Sequence, residues 1–421
     1  MSEEVNIGLI GIGTIGSGVV KILNKNKELI EKRTGIKINL KKVCDVNLEN
    51  AKELGLKDEQ LTKNYEDLVN DEDINIIIEL IGGYDPAREI IIKALKNKKH
   101  VVTANKALLA KHGDEILKEA ENNNVNIAFE ASTGGCIPII KAIRESYAAD
   151  KIKDIYGILN GTTNYILTRM EEGLSYKNAL KQAQKLGFAE ANPEFDVEGK
   201  DAAQKLVILS SLAFNAKIKD DIFTLGITKI NENDLKYADE LGYKIKLLAI
   251  AKDEDNEIEL RVHPTMIVKQ HELASVKNEL NSVYVVGENI TKAMLYGKGA
   301  GQLPTATVIL GDVIDIAKGK KDNFYFRDVK LKDINKITSR YYLRYNVEDK
   351  PGVLAKISKI LGDNNISIAG VEQKEINKEI VPLIMTTHEA IEENLVKAIE
   401  EINKLDVVKE DTVVIRVEDI K

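Results

Sequence analysis

Two constellations in the sequence have residue types and spacing suited to chemistry. The first is Gly11-Ile12-Gly13-Thr14-Ile15-Gly16, set between an apolar segment at 5–10 and Val19, Val20, Ile22 and Leu23 at helical spacing. Strand, then Gly-x-Gly-x-x-Gly, then helix is the order in which a glycine loop holds a dinucleotide. Gly11 would make the tight turn, Gly13 would admit a pyrophosphate to the backbone, and Gly16 would let helix and strand pack closely. The helix start beside Thr14 and Ile15 would add free amides and a favourable dipole. Any tight strand-to-helix turn likes glycine, so the weight of the pattern comes from its placement. The second constellation is Asp201 and Lys205, four residues apart and therefore on one helical face. A lysine beside a second cation and partly removed from water loses its proton more readily, as an acid–base group near neutral pH requires. By spacing alone, a solvated surface pair of little energetic consequence is the commoner reading.

Several elements must position these groups. Residues 38–43 read as a second strand ending at Cys44-Asp45, where a carboxylate can accept hydrogen bonds from the adenosine ribose hydroxyls and so favours NAD over NADP. The interval from Gly11 is longer than usual, so an extended helix or loop must intervene. Asp45 as the start of a turn is the plain alternative, and Lys41, Lys42 or Lys52 could meet a 2′-phosphate. A strand at 75–81 ends in Gly82-Gly83, a helix follows at 88–96, and another strand at 100–106 carries polar residues at its C-terminal end. A helix at about 107–122 leads to a strand at 125–129. Such alternation predicts a parallel sheet whose ligands bind beyond the carboxyl ends of its strands, where Lys106 falls.

A chain of 421 residues suggests two or three domains, and its 43% hydrophobic and 30% charged residues are those of a globular protein. The net charge of −7 argues against a nucleic-acid partner, which needs a basic face. Cys44 and Cys136 alone are too few for a disulfide framework or a cysteine metal cluster. The start, Met1-Ser2-Glu3-Glu4, lacks the basic and apolar regions of a signal peptide, and no apolar run approaches the roughly 18 residues of a membrane span. A cytoplasmic protein that neither spans nor anchors to a membrane is expected.

Longer motifs carry a resemblance. Ile78-Glu79-Leu80-Ile81-Gly82-Gly83, Thr103-Ala104-Asn105-Lys106, Glu130-Ala131-Ser132-Thr133-Gly134-Gly135-Cys136-Ile137-Pro138, Leu159-Asn160-Gly161-Thr162-Thr163-Asn164-Tyr165 and the run Asp196 to Leu206 all resemble homoserine dehydrogenase. Gly299-Ala300-Gly301 with Pro304-Thr305-Ala306 completes a set that covers about residues 5–320 in the family's order. The resemblance implies NAD(P)-dependent interconversion of L-homoserine and L-aspartate 4-semialdehyde. It implies that Lys205 is the proton donor or acceptor and that Lys106 lies near the same oxygen and the nicotinamide ribose. Glu190 would hold the substrate ammonium, with Asp196 and Asp201 on the hydroxyl, an associated water or the lysine. Gly161 and Thr162 would touch substrate, and Thr103 and Asn105 would join the glycine loop and Asp45 around the cofactor. Glu130, Thr133, Gly135 and Ile137 match positions where the family can hold Na+ or K+, largely through backbone carbonyls. Cys136 reads as small-residue packing and His263 as structural.

The fold class expected is α/β: a Rossmann-type dinucleotide-binding domain (1–133 plus 299–320) and an α+β substrate and dimerisation domain (134–298). A linker (321–340) then leads to a tail (341–421). In the middle region, alternating segments at 152–159, 246–251, 257–262 and 282–286 suggest a mixed sheet, with helices near 164–172, 176–186 and 201–214. The tail reads βαββαβ and, with Asp349-x-Pro351-Gly352-Val353-Leu354, looks like an ACT domain, a module that binds amino acids. Asp349 and Gly352, then Asn364 and Ile366, are the residues placed nearest an effector. L-threonine is expected by analogy, with methionine or no effector as alternatives. A homodimer or homotetramer is implied. Two other readings stand beside this one: an oxidoreductase acting on aspartate or its phosphate, and a nucleotide-and-amino-acid sensor without catalysis. A thioester route would need a catalytic cysteine with a base, and a sensor has no need of Lys106, Asp201 and Lys205 together.

Overall fold

The computed structural model describes residues 3–219, 221–255, 257–321, 323–373 and 379–420, so the first two residues of the acidic start lie outside it. By internal contacts the chain forms two compact units: 1–155, 203–221 and 281–329 in one, and 156–202, 222–280 and 330–421 in the other.

The first unit is built on a six-stranded parallel sheet. Its strand order is Leu61–Thr62, Ile36–Cys44, Glu3–Ile10, Ile76–Glu79, His100–Thr103 and Ile127–Ala128. This is the expected dinucleotide-binding order, reversing direction beside Glu3–Ile10. The long interval after Gly11 is an extended helix of 21 residues, Thr14–Thr34, stopped by Gly35 in the left-handed conformation (φ 76°). The helix Gln302–Ala317 packs against it, so near Gly18 that a Cβ there would lie 2.8 Å from the Gln302 carbonyl oxygen. Ile7, Leu9, Val19, Val20, Ile78, Val102, Ile309 and Val313 share the core beneath.

Three strands are shorter than the sequence suggests, the one read at 75–81 being Ile76–Glu79. His100–Thr103 stops early because Asn105 turns the chain, its side chain accepting from Leu108 N at 3.2 Å and capping the helix Lys106–Asn123. The last strand has two residues before the chain coils into a short 3-10 turn, Glu130–Ser132.

In the second unit, Tyr243–Asp253 and Glu257–Val268 form a long antiparallel pair. The tail has the βαββαβ order: strands Thr338–Glu348, Ile368–Gln373, Ile380–Thr387 and Val413–Val417, with helices Val353–Asp363 and Glu392–Ile402 on one side. Its sheet does not stop at its own edge. Val413–Val417 pairs in parallel with Glu257–Val268, Thr265 opposite Arg416, so one sheet runs through the unit. Residues read as a linker also pair: Arg327 opposite Ala216 in the first unit, Lys330 opposite Glu257 in the second.

Candidate active site

In the first unit the three loop glycines differ in what surrounds them. Gly11 has φ +99°, and a Cβ there would meet Leu80 backbone atoms at 2.8 Å. At Gly16 a Cβ would lie 2.0 Å from the Gly11 carbonyl oxygen. Among the described residues, Gly13 has no atom within 4 Å of such a Cβ, and no side chain caps the helix start beside it. The tight turn and close packing are internal, while the open face and free amides at Gly13 fit a pyrophosphate. Asp45 accepts from Ile12 N at 2.7 Å and from Asn47 N at 3.0 Å, so it both braces the loop and opens a turn. Lys41 reaches Asp71 at 3.2 Å and Asp73 at 2.5 Å, and Lys42 reaches Asp71 at 3.1 Å. Lys52 lies 3.7 Å from Asp58.

At the ends of the central strands, Glu79 is fully buried and accepts from the Thr103 hydroxyl at 2.7 Å and from Ile81 N at 2.8 Å. Thr103 Oγ1 in turn accepts from Asn105 N at 3.0 Å, and the Asn105 side chain donates to the Gly83 carbonyl at 2.7 Å. Thr103 and Asn105 thus build the turn that presents Lys106, half-buried at the first position of its helix. Glu79 escaped the sequence reading as a site residue, although a charged side chain ending an all-apolar strand was the signal for it.

The second unit holds a tighter arrangement. Asn160 is buried ahead of the helix Gly161–Glu171, and its side-chain oxygen accepts from Thr163 N at 2.8 Å. Its amide nitrogen donates to Asp196 Oδ1 at 2.7 Å and to Asp201 Oδ2 at 2.9 Å. Thr162, buried beside it, donates to the Phe188 carbonyl and lies 3.3 Å from Asp196 Oδ2. The structure therefore brings Asp196, Asp201, Gly161 and Thr162 together around Asn160, a residue that sequence reasoning missed. Asp201 is buried near the start of the helix Lys200–Ala213, whose later residues, the half-buried Lys205 among them, belong to the first unit. Glu190 is exposed, its main-chain oxygen accepting from Gln184 Nε2 at 3.1 Å. One neutral amide thus holds two carboxylates side by side.

The loop of residues 130–137, in the first unit, has features of an oxygen-lined site. The Ser132 and Thr133 hydroxyls are buried without a hydrogen-bond partner among the described residues, and Gly134 and Gly135 take left-handed φ of 76° and 59°. The Glu130 carboxylate is already engaged, accepting from Ile140 N and Lys141 N at 2.7 Å each. Burial, and then the neighbouring Asp312 charge, push Glu130 up to about 7. Among the described residues no group of three or more His, Cys, Asp and Glu side chains could hold a metal ion. Burial and Asp45 push the Cys44 thiol up to about 11, an unreactive state. His263 is fully buried, with ring nitrogens 2.6 Å from Arg261 Nη1 and 3.0 Å from the Thr265 hydroxyl, in keeping with a structural role.

In the tail, a cavity of ≈ 340 Å³ is lined by Asp349, Gly352, Gln373 and Leu383 among others. Gly352 has φ 88° at the start of its helix, and Gln373 donates to Asp349 at 3.3 Å. Asn364 and Ile366 do not line this cavity: Asn364 donates to the Ile360 carbonyl at 3.0 Å and lies 3.4 Å from Glu401, and Ile366 is buried in the tail's core. No helix among the described residues is long and apolar enough to cross a membrane.

The parallel sheet and its open glycine loop define a dinucleotide-binding fold. Comparison with known proteins gives the family. Residues 138–314 match the family model described as homoserine dehydrogenase, 11–130 that of its NAD-binding domain, and 341–407 the ACT domain. The chain is 41% identical to the homoserine dehydrogenase of Neisseria gonorrhoeae and 39% identical to that of Bacillus subtilis, with 99% of each chain covered in both comparisons. A solved homoserine dehydrogenase from Thiobacillus denitrificans is 42% identical, with a TM-score of 0.93, over 99% of this chain and 98% of that one. The chain belongs to the homoserine dehydrogenase family and is an NAD(P)-dependent oxidoreductase with a C-terminal ACT domain.

Proposed function

We propose that Lys205 moves the proton in the interconversion of L-homoserine and L-aspartate 4-semialdehyde, within threonine, methionine and isoleucine biosynthesis. The observation that carries this reading is the clamp of Asn160 on Asp196 and Asp201, with Lys205 one turn beyond on the helix that bears Asp201. When bound, the nicotinamide supplies the hydride chemistry. Lys205 takes the hydroxyl proton as homoserine is oxidised and returns it to the oxygen as the aldehyde is reduced. Lys106 orients that oxygen or shares the proton. Asp196 and Asp201 bind the substrate's hydroxyl end, Glu190 its ammonium, and Gly161 and Thr162 complete the contact.

Gly11, Gly13, Thr14, Ile15 and Gly16 would hold the pyrophosphate, with Asp45, Thr103, Asn105 and Lys106 on the rest of the cofactor. NAD is favoured over NADP because Lys41 and Lys42 are already paired with Asp71 or Asp73. The solved archaeal homoserine dehydrogenase that holds NADPH, 27% identical, marks the alternative. The Ser132 and Thr133 hydroxyls, without a hydrogen-bond partner among the described residues, suit a monovalent cation on the loop of Glu130, Thr133, Gly135 and Ile137. Threonine is the effector assigned to the tail cavity at Asp349 and Gly352, in a cytoplasmic homodimer or homotetramer. Lys205→Ala tests the central assignment: turnover should fall by about 10²–10⁴-fold with cofactor affinity nearly intact. A large loss of cofactor binding would remove Lys205 from that role.

A further inference from the structure

The tail's last strand reaches past its own sheet to pair with Glu257–Val268. The Arg416 guanidinium on that strand is buried and held by Glu392, whose Oε2 also accepts from the Tyr341 hydroxyl at 2.8 Å, so tail residues fix its position. It lies 4.8 Å over the ring of Phe223. Phe223–Thr224 is a short strand laid along Arg261 and Val262, and Leu225 N extends the pairing by donating to the Val262 carbonyl at 2.8 Å.

The next three residues are fastened to the segment that carries Asp196. Ile227 N donates to the Val197 carbonyl at 2.8 Å, and the Thr228 hydroxyl donates to Glu198 at 2.9 Å. Just before them Gly226 approaches so closely that a Cβ would lie 2.1 Å from Val197 O and 2.4 Å from Glu198 Cα. Gly199, at φ +81°, meets the same stretch from the other side, where a Cβ would lie 3.1 Å from Thr224 Cγ2. Two glycines thus let two backbones touch one residue away from Asp196, and Asp196 is the carboxylate clamped by Asn160. Contacts this close pass a displacement on, because a packed interior does not yield smoothly.

We propose that residues 223–228 are a positioning strap through which the ACT domain holds Asp196, so that the tail sets affinity for the amino-acid substrate and leaves cofactor binding alone. The inference rests on the assignment of Asp196 to the substrate. Phe223 and Gly226 act through Asp196 and touch no reacting atom.

The test measures KM for L-homoserine and for the nicotinamide cofactor in the full chain, comparing the parent with Phe223→Leu, Gly226→Ala and Asp196→Asn. A displacement near 1 Å can cost as much as about a hundredfold, so homoserine KM should rise about threefold or more in Phe223→Leu and about tenfold or more in Gly226→Ala. The cofactor KM and the unfolding midpoint of Phe223→Leu should stay at the parent's values, a split that general loosening would not produce. If Gly226→Ala does not fold, Phe223→Leu carries the test. A homoserine KM that rises in Asp196→Asn and in neither strap variant overturns the strap while sparing the substrate assignment. An unchanged KM in Asp196→Asn overturns that assignment, and the strap's role with it.

Discussion

Asn160 and Asp201, 41 residues apart in sequence, meet at 2.9 Å, and the same amide nitrogen holds Asp196 at 2.7 Å. One neutral donor therefore fixes two carboxylates, while its oxygen caps the helix Gly161–Glu171. Asn160→Ser should separate the two duties, because serine still caps a helix but has one donor and a shorter reach. Hydrogen bonds to charged groups contribute about 1.5–3 kcal/mol, so homoserine KM should rise between about tenfold and a hundredfold. An unchanged KM in a folded Asn160→Ser protein would mean that the clamp plays no part in substrate binding.

The buried carboxyls of Glu130 and Asp312 make stability depend on pH. Burial, and then the Asp312 charge, raise Glu130 from 4.5 to about 7; burial raises Asp312 from 3.8 to about 6, against the pull of Lys141. Both hold a proton more tightly folded than unfolded. Their stabilising contribution is therefore full at low pH and lost as pH rises through about 6 and then about 7. In Asp312→Asn that loss should shrink, because one carboxyl is gone and Glu130 loses its like-charged neighbour, while Lys141 keeps Asp315 at 2.7 Å. Unfolding midpoints measured from about pH 5 to about pH 8 should fall less steeply in the variant. Parallel curves would show that the pair does not set the slope.

Regulation through the tail predicts that threonine titrated into the full chain lowers the homoserine-dependent rate. Asp349→Ala should move the half-maximal concentration up by about tenfold or more, the scale of one charge-assisted hydrogen bond. If methionine acts and threonine does not, the effector assignment is wrong and the cavity keeps its role. An Asp349→Ala response equal to the parent's would remove the cavity.

How much of this was legible in the sequence follows from how far each contact reaches along the chain. The glycine loop is local, and its strand, turn and helix fall where 5–23 place them. The tail's βαββαβ order is equally local, written in short periodic segments. Asn160 sits inside a quoted motif yet stayed hidden, because a cap is a local property and a clamp on carboxylates 36 and 41 residues away is not. Glu79 was hidden likewise, its hydroxyl partner lying on the neighbouring strand. Gly226 gives no signal in Thr224-Leu225-Gly226-Ile227, since only the approach of Val197 makes a side chain intolerable there. The pairing of Val413–Val417 with Glu257–Val268 joins two periodic strands, and periodicity names no partner.

The central claim is the reaction itself, and absorbance in the reduced-nicotinamide band tests it most directly, with L-homoserine added to the full chain and NAD or NADP in parallel. The account predicts homoserine-dependent reduction, faster with NAD. Silence with both cofactors, in a folded preparation that still binds nucleotide, would contradict it and point to a sensor or to another aspartate-derived substrate.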